Sequence, residues 1–87
     1  ERIAAYLEFQ RAFGARDYAA ARPAAERVVV LTEQLHGTDS RELVNPLVNL
    51  GAVHYRLGEH PAAEVAFARA VRIVDGQIAG ADRSLIA

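Results

Sequence analysis

The sequence contains no cysteine. Disulfides and thiolate metal sites are therefore excluded, although a Cys-free chain can live in any compartment. Lysine is missing too: all ten basic residues are arginine, against eleven acidic residues, for a formal net charge of -1. A nucleic-acid footprint needs a basic patch or stripe, which this balance argues against. No apolar run approaches the roughly 20 residues of a membrane span. The opening Glu-Arg-Ile has neither a methionine nor an apolar signal core. The expectation is an excerpt of a longer protein in a cytoplasmic setting, with no nucleic-acid or membrane partner.

At 87 residues the chain makes at most one small domain, marginal in how much surface it can bury. Half of it is hydrophobic, and much of that is alanine. Alanine buries little area per residue but forms helices readily and lets them approach closely, so thin helical layers suit the composition better than one thick core. Ile3, Tyr6, Leu7, Gln10 and Phe13 fall near helical spacing and predict a first helix, which Gly14 breaks. Asp17 is placed to cap a second helix over 18–36, slightly bent near Pro23. The strand-prone Val28-Val29-Val30 is outweighed there by its alanine-rich flanks.

Gly37 suits the left-handed position beyond that helix, and Asp39 or Ser40 can cap the next, with Glu42 in its first turn. A third helix over about 41–57 holds Pro46, so it either begins near 44 or bends. Gly58 closes it and Pro61 opens a fourth helix reaching about Ile78. Gly80-Ala81-Asp82 then repeats the loop, and 82–87 reads as a further helix cut short.

The chain repeats itself. Tyr18 and His60 are 42 positions apart, as are Ala21 and Ala63, Ala25 and Phe67, and Leu31 and Ile73. Two helical hairpins follow, one over about 1–38 and one over about 41–79. Leu47, Leu50-Gly51, Tyr55, Gly58, Ala63, Phe67 and Ala70 of the second copy resemble the signature of the tetratricopeptide repeat. The Asp17–Val28 block, with a proline inside its helix, resembles the longer kinesin-light-chain-like form, as do Gly37-Thr38-Asp39 and Leu47–Gly51. The resemblance implies an all-α fold of antiparallel helix-turn-helix units stacked as a right-handed solenoid fragment. Glu8 and Phe9 depart from the pattern, standing where Leu50 and Gly51 stand in the second copy. Small residues at Gly51, Ala63 and Ala70 predict close helix crossings, with Tyr55, Leu57 and Phe67 filling the gaps beside them. A single repeat cannot bury its own apolar face, and two fall short of the three expected for independent stability. A flanking repeat, a second copy forming a homodimer through the exposed terminal helices, or a capping helix is expected to complete the stack.

The resemblance also implies a concave groove lined by the first helix of each repeat and used to hold a protein or peptide partner. By position its residues are Asn45, Val48, Asn49, Ala52, Tyr55 and Arg56 in the second copy, and Ile3, Tyr6, Leu7, Gln10 and Phe13 in the first. Asn49 stands where related repeats clamp a peptide backbone; an amide donates and accepts at once. Arg56 offers a carboxylate contact. The structural alternatives are that Asn49 bonds a neighbouring helix and Arg56 is solvated. The first copy has Leu7 in the place of Asn49, and its apolar, aromatic half suits an amphipathic helix. Against this stands a purely structural role in self-association, or as a regulatory arm of a larger protein.

An enzymatic reading has less to build on. His60 and Glu64 are one helical turn apart, with His54 and Glu59 nearby, a spacing that could serve a metal or a proton transfer. Three ligands must converge, however, and His60 falls in a turn at a packing position. Phosphate loop, nucleophile elbow and Cys–His pair are all missing. The expectation is a non-enzymatic module without cofactor or metal, its remaining charges (Glu26, Arg27, Glu33, Arg69, Arg72, Asp75) ordinary surface.

Overall fold

The computed structural model describes the backbone elements of residues 2–86 and the side chains of residues 2–77. Four α-helices follow one another: α1 (Arg2–Gly14), α2 (Tyr18–His36), α3 (Val44–Arg56) and α4 (His60–Ile86), with a 3-10 turn over Arg41–Leu43 before α3. The described residues form no strand, and the protein is all-α. α1 packs on α2, α3 on α4, and α2 on α3, so two hairpins stack in chain order.

The two hairpin turns use the same main-chain bonds at a spacing of 42. Asp17 N–H donates to the Ala12 carbonyl at 2.9 Å, as Glu59 N–H does to His54 at 2.8 Å. Arg16 N–H donates to Phe13 and Gly58 N–H to Tyr55, both at 3.0 Å. The residue in the left-handed region is Arg16 (φ 60) in the first turn and Gly58 (φ 78) in the second. Gly14, read as the first breaker, is instead the last residue of α1. Asp17 caps α2 as expected, its Oδ1 accepting from Ala20 N–H at 3.2 Å. α2 runs unbroken through Pro23 and the valine run.

Between the hairpins, Gly37 adopts φ 90, ψ 173, a conformation nearly reserved for glycine. Of the two candidate caps it is Ser40 whose Oγ accepts from Glu42 N–H. The α-helical part of the third element begins at Val44, which places Pro46 in its first turn. There the missing N–H has no intrahelical acceptor to lose. α4 departs from expectation: it is one helix to Ile86, past the end predicted near Ile78 and through the loop predicted at 80–82. A helical glycine costs only about 1 kcal/mol relative to alanine, and no proline follows Gly80 to enforce a stop. The side chains from Ile78 onward, and the packing of the further helix expected at 82–87, lie outside the described residues.

Alanine does most of the close packing. Phe9 and Ala12 of α1, Ala21, Ala24 and Ala25 of α2, and Val53 of α3 form one buried cluster. Val29, Leu43, Leu47, Ala70 and Ile73 form a second, and Leu50 packs against both. Gly51, Ala63 and Ala70 are all buried, as their place at the crossings requires. A Cβ at Gly51 would lie 2.5 Å from the Phe67 ring, so that ring rests directly on the α3 backbone where Gly51 has no side chain. Leu57 packs against the first cluster as predicted, whereas Phe67 covers Gly51 with one side of its ring and leaves the rest exposed. Tyr55 does not: it is exposed and meets the His60 ring edge-on at 5.1 Å.

Candidate functional site

α1 and α3 lie along the same side of the stack with α2 beneath them, and a narrow cleft runs between them. Its walls are Tyr6 and Phe9 of α1 and Pro46 and Asn49 of α3, and its floor is Ala25 and Val28 of α2. Toward the start of α1 the cleft opens into a mostly apolar cavity of about 250 Å³, bordered by Ile3, Tyr6, Val28, Thr32 and Pro46, with Arg2 and Glu42 at its edge. Thr32 is fully buried, its Oγ1 donating back to the Val28 carbonyl at 2.6 Å. That bond satisfies the hydroxyl within its own helix and leaves the methyl to face the cavity's apolar neighbours.

The predicted groove residues divide. Tyr6 and Asn49 stand on the cleft. The Asn49 amide makes no hydrogen bond among the described residues, so it is not spent on a neighbouring helix. Gln10 donates from Nε2 to the Tyr6 hydroxyl at 3.1 Å, fixing that ring at the cleft's edge. Phe13 belongs to an aromatic series, with ring centroids 5.4 Å from Phe9 and 5.3 Å from Tyr18. Arg56 is exposed, and its guanidinium lies over the Tyr18 ring, 5.7 Å from the centroid, a cation–π contact. Ala52 is half-buried on α3. Asn45 is placed elsewhere, at a hollow shared with Val74 and Gln77 of α4.

Position-by-position reading missed the floor. Val28 and Thr32 belong to the second helix of their repeat, whereas only first helices were assigned to the groove. The available signal was Thr32, a hydroxyl set one turn from Val28 in an otherwise apolar stripe.

Of the residues considered for metal or proton chemistry, His54 and Glu59 are engaged with each other. His54 Nδ1 lies 2.7 Å from Glu59 Oε1, and Arg22 of α2 reaches Glu59 Oε2 at 3.2 Å. The hydrogen bond from His54, with the charge of Arg22 behind it, holds the Glu59 carboxyl below the usual carboxylate range despite partial desolvation. His60 meets the Tyr55 ring edge-on. Among the described residues no three His, Cys, Asp or Glu side chains converge as a metal site. Two charges read as plain surface do more. Arg69 of α4 donates to Glu33 of α2 at 2.6 Å and to the Thr38 carbonyl at 3.0 Å, fastening the hairpins across the loop.

No helix among the described residues is long and apolar enough to cross a membrane. No curated protein and no solved structure matches the chain. The sequence model of the tetratricopeptide repeat matches residues 12–75, from the end of α1 through both turns and most of the described part of α4. Such repeats are typically non-catalytic scaffolds for protein–protein interaction. Stacked helical hairpins, small residues at the crossings and a match over most of its length agree: the chain belongs to the tetratricopeptide repeat family.

Proposed function

We propose that the chain captures an apolar segment of a protein partner, helical or extended, in the cleft between α1 and α3. The cavity of about 250 Å³ carries this reading: it is lined mainly by apolar side chains and has room for one bulky anchor residue. Asn49, unpartnered beside the cleft, is the group that would hold the partner's backbone. The unit boundaries that go with this reading are repeat one over about 1–38 and repeat two over about 41–79. The spacing of 42, shared by the turn bonds, favours the kinesin-light-chain-like form.

The test is capture of partner peptides from a displayed library, followed by substitution. Tyr6→Ala and Asn49→Ala, with helicity retained, are expected to weaken the selected peptide at least tenfold. Unchanged affinity in both variants would retire the cleft as the site. A structural role in assembly is the second reading, and the exposed apolar residues of α4 favour it. Its signature is self-association that survives both cleft substitutions.

A further inference from the structure

Two hydroxyl-bearing residues, Tyr6 and Thr32, border the cavity at the start of the α1–α3 cleft, yet neither turns a free polar atom into it. Thr32 has no exposed surface, and its Oγ1 donates to the Val28 carbonyl, so the hydroxyl is closed to anything that enters. The Tyr6 hydroxyl accepts from Gln10, one turn further along α1 and away from Ile3. Pro46 supplies no N–H, although its place in the first turn of α3 is one where another residue would leave a donor free. A polar atom carried to the bottom of this cavity is therefore stripped of water and given no partner.

Size and shape narrow the occupant further. The Tyr6 ring borders the space from α1 and the Pro46 ring from α3, so two flat groups flank it. An apolar cavity of about 150 Å³ already takes up benzene, and this one measures about 250 Å³. At its mouth stand Arg2 and Glu42, neither in an ion pair among the described residues. Their charges are opposite, so the mouth carries no net sign and does not steer a charged segment from a distance.

The chain's own three phenylalanines are committed elsewhere. Phe9 is buried, Phe13 lies against Phe9 and Tyr18, and Phe67 rests on Gly51. A second folded copy of these residues has no such ring to offer.

We infer that the anchor received by the cavity is a phenylalanine side chain of a partner protein, taken in preference to tyrosine and selected by fit rather than by charge. This selection presupposes capture in the α1–α3 cleft and adds the identity of the side chain that enters it.

The probe is a peptide selected on the 87-residue chain from a displayed library with its central position randomised, then synthesised with either phenylalanine or tyrosine at that position. The chain is the same in both titrations, so no folding defect can imitate the result. Phenylalanine should emerge from the selection, and the tyrosine twin should bind at least tenfold more weakly, toward the roughly hundredfold limit for an added hydroxyl in an apolar pocket. Amide chemical shifts should move around Ile3, Val28 and Thr32, and raising the salt should change the affinity little. Equal binding of the twins, or a steep loss with salt, would overturn the inference; if Tyr6→Ala and Asn49→Ala still weaken the peptide, capture in the cleft stands without it. A peptide indifferent to both substitutions, or a library that yields no binder, would remove the anchor and the cleft together.

Discussion

The two hairpin turns share a backbone and differ in what sustains it. In the first, the left-handed residue is Arg16 and the cap is Asp17, whose carboxylate serves Ala20 N–H within its own helix. In the second, the left-handed residue is Gly58, and Glu59 occupies the cap position. Its carboxylate turns instead to His54 behind it and Arg22 on the neighbouring hairpin. The main-chain bonds are the same throughout. A turn closed by backbone groups tolerates different side chains, and those side chains can then serve local capping in one repeat and inter-repeat fastening in the other.

Exchanging equivalent residues is the direct way to break this equivalence, and the largest effect belongs to the helix faces. Ala25 is buried under α3, whereas Phe67 at the matching place is partly open. Ala25→Phe forces an aromatic ring between α2 and α3 and should cost about 3 kcal/mol, the upper part of the usual overpacking range. Phe67→Ala, losing a half-covered ring, should cost only about 1–2 kcal/mol. Urea denaturation of both variants measures the difference; equal losses would mean the two faces are covered alike.

The turns come next. Gly58→Ala places a Cβ in the left-handed region and should cost about 1–2 kcal/mol. Arg16→Gly removes that strain from the first turn, partly offset by a freer unfolded chain, for a net gain of about 0.5 kcal/mol. Opposite shifts of thermal midpoint are the expected outcome, and shifts of the same sign would contradict the equivalence of the turns. Asp17→Ala should cost about 1 kcal/mol through the lost cap, seen as earlier hydrogen exchange at the start of α2.

The smallest effect is electrostatic. Because the folded state holds the Glu59 carboxyl below the usual carboxylate range, the stabilisation is complete above the unfolded-state pKa and disappears as pH falls through the lowered folded-state one. Glu59→Gln should flatten that acidic limb of the thermal-midpoint curve and leave the neutral plateau shape unchanged. An identical acidic limb in the variant would show that the His54–Glu59–Arg22 contact contributes nothing.

Much of the fold was legible because its signals are local. Asp17, Gly58 and Pro61 mark helix ends through backbone requirements that hold in any context, and the 42-residue recurrence declares the stacking. The site was legible only in part. Of the positions carried over by repeat, Tyr6 and Asn49 border the α1–α3 cleft and Asn45 borders a different hollow, while Val28 and Thr32, which also line the cleft and its cavity, were not among them. A cleft formed by three helices has a floor that no single helix's periodicity reveals. The end of α4 was misjudged for a related reason: Gly80 is a weak stop by itself, and the same Gly-x-Asp pattern at Gly37 ends α2.

The sequence by itself determined the helical hairpins, their turns and the small residues at their crossings, because hydrophobic period, capping and glycine conformation act over a few residues at a time. Only the tertiary structure decided which faces the stacking covers and which it leaves open. It also decided that Arg56 lies over Tyr18 and that Arg69 spans to Glu33. Those contacts join residues 38 and 36 positions apart, as their numbers give, and their geometry exists only after the hairpins have come together.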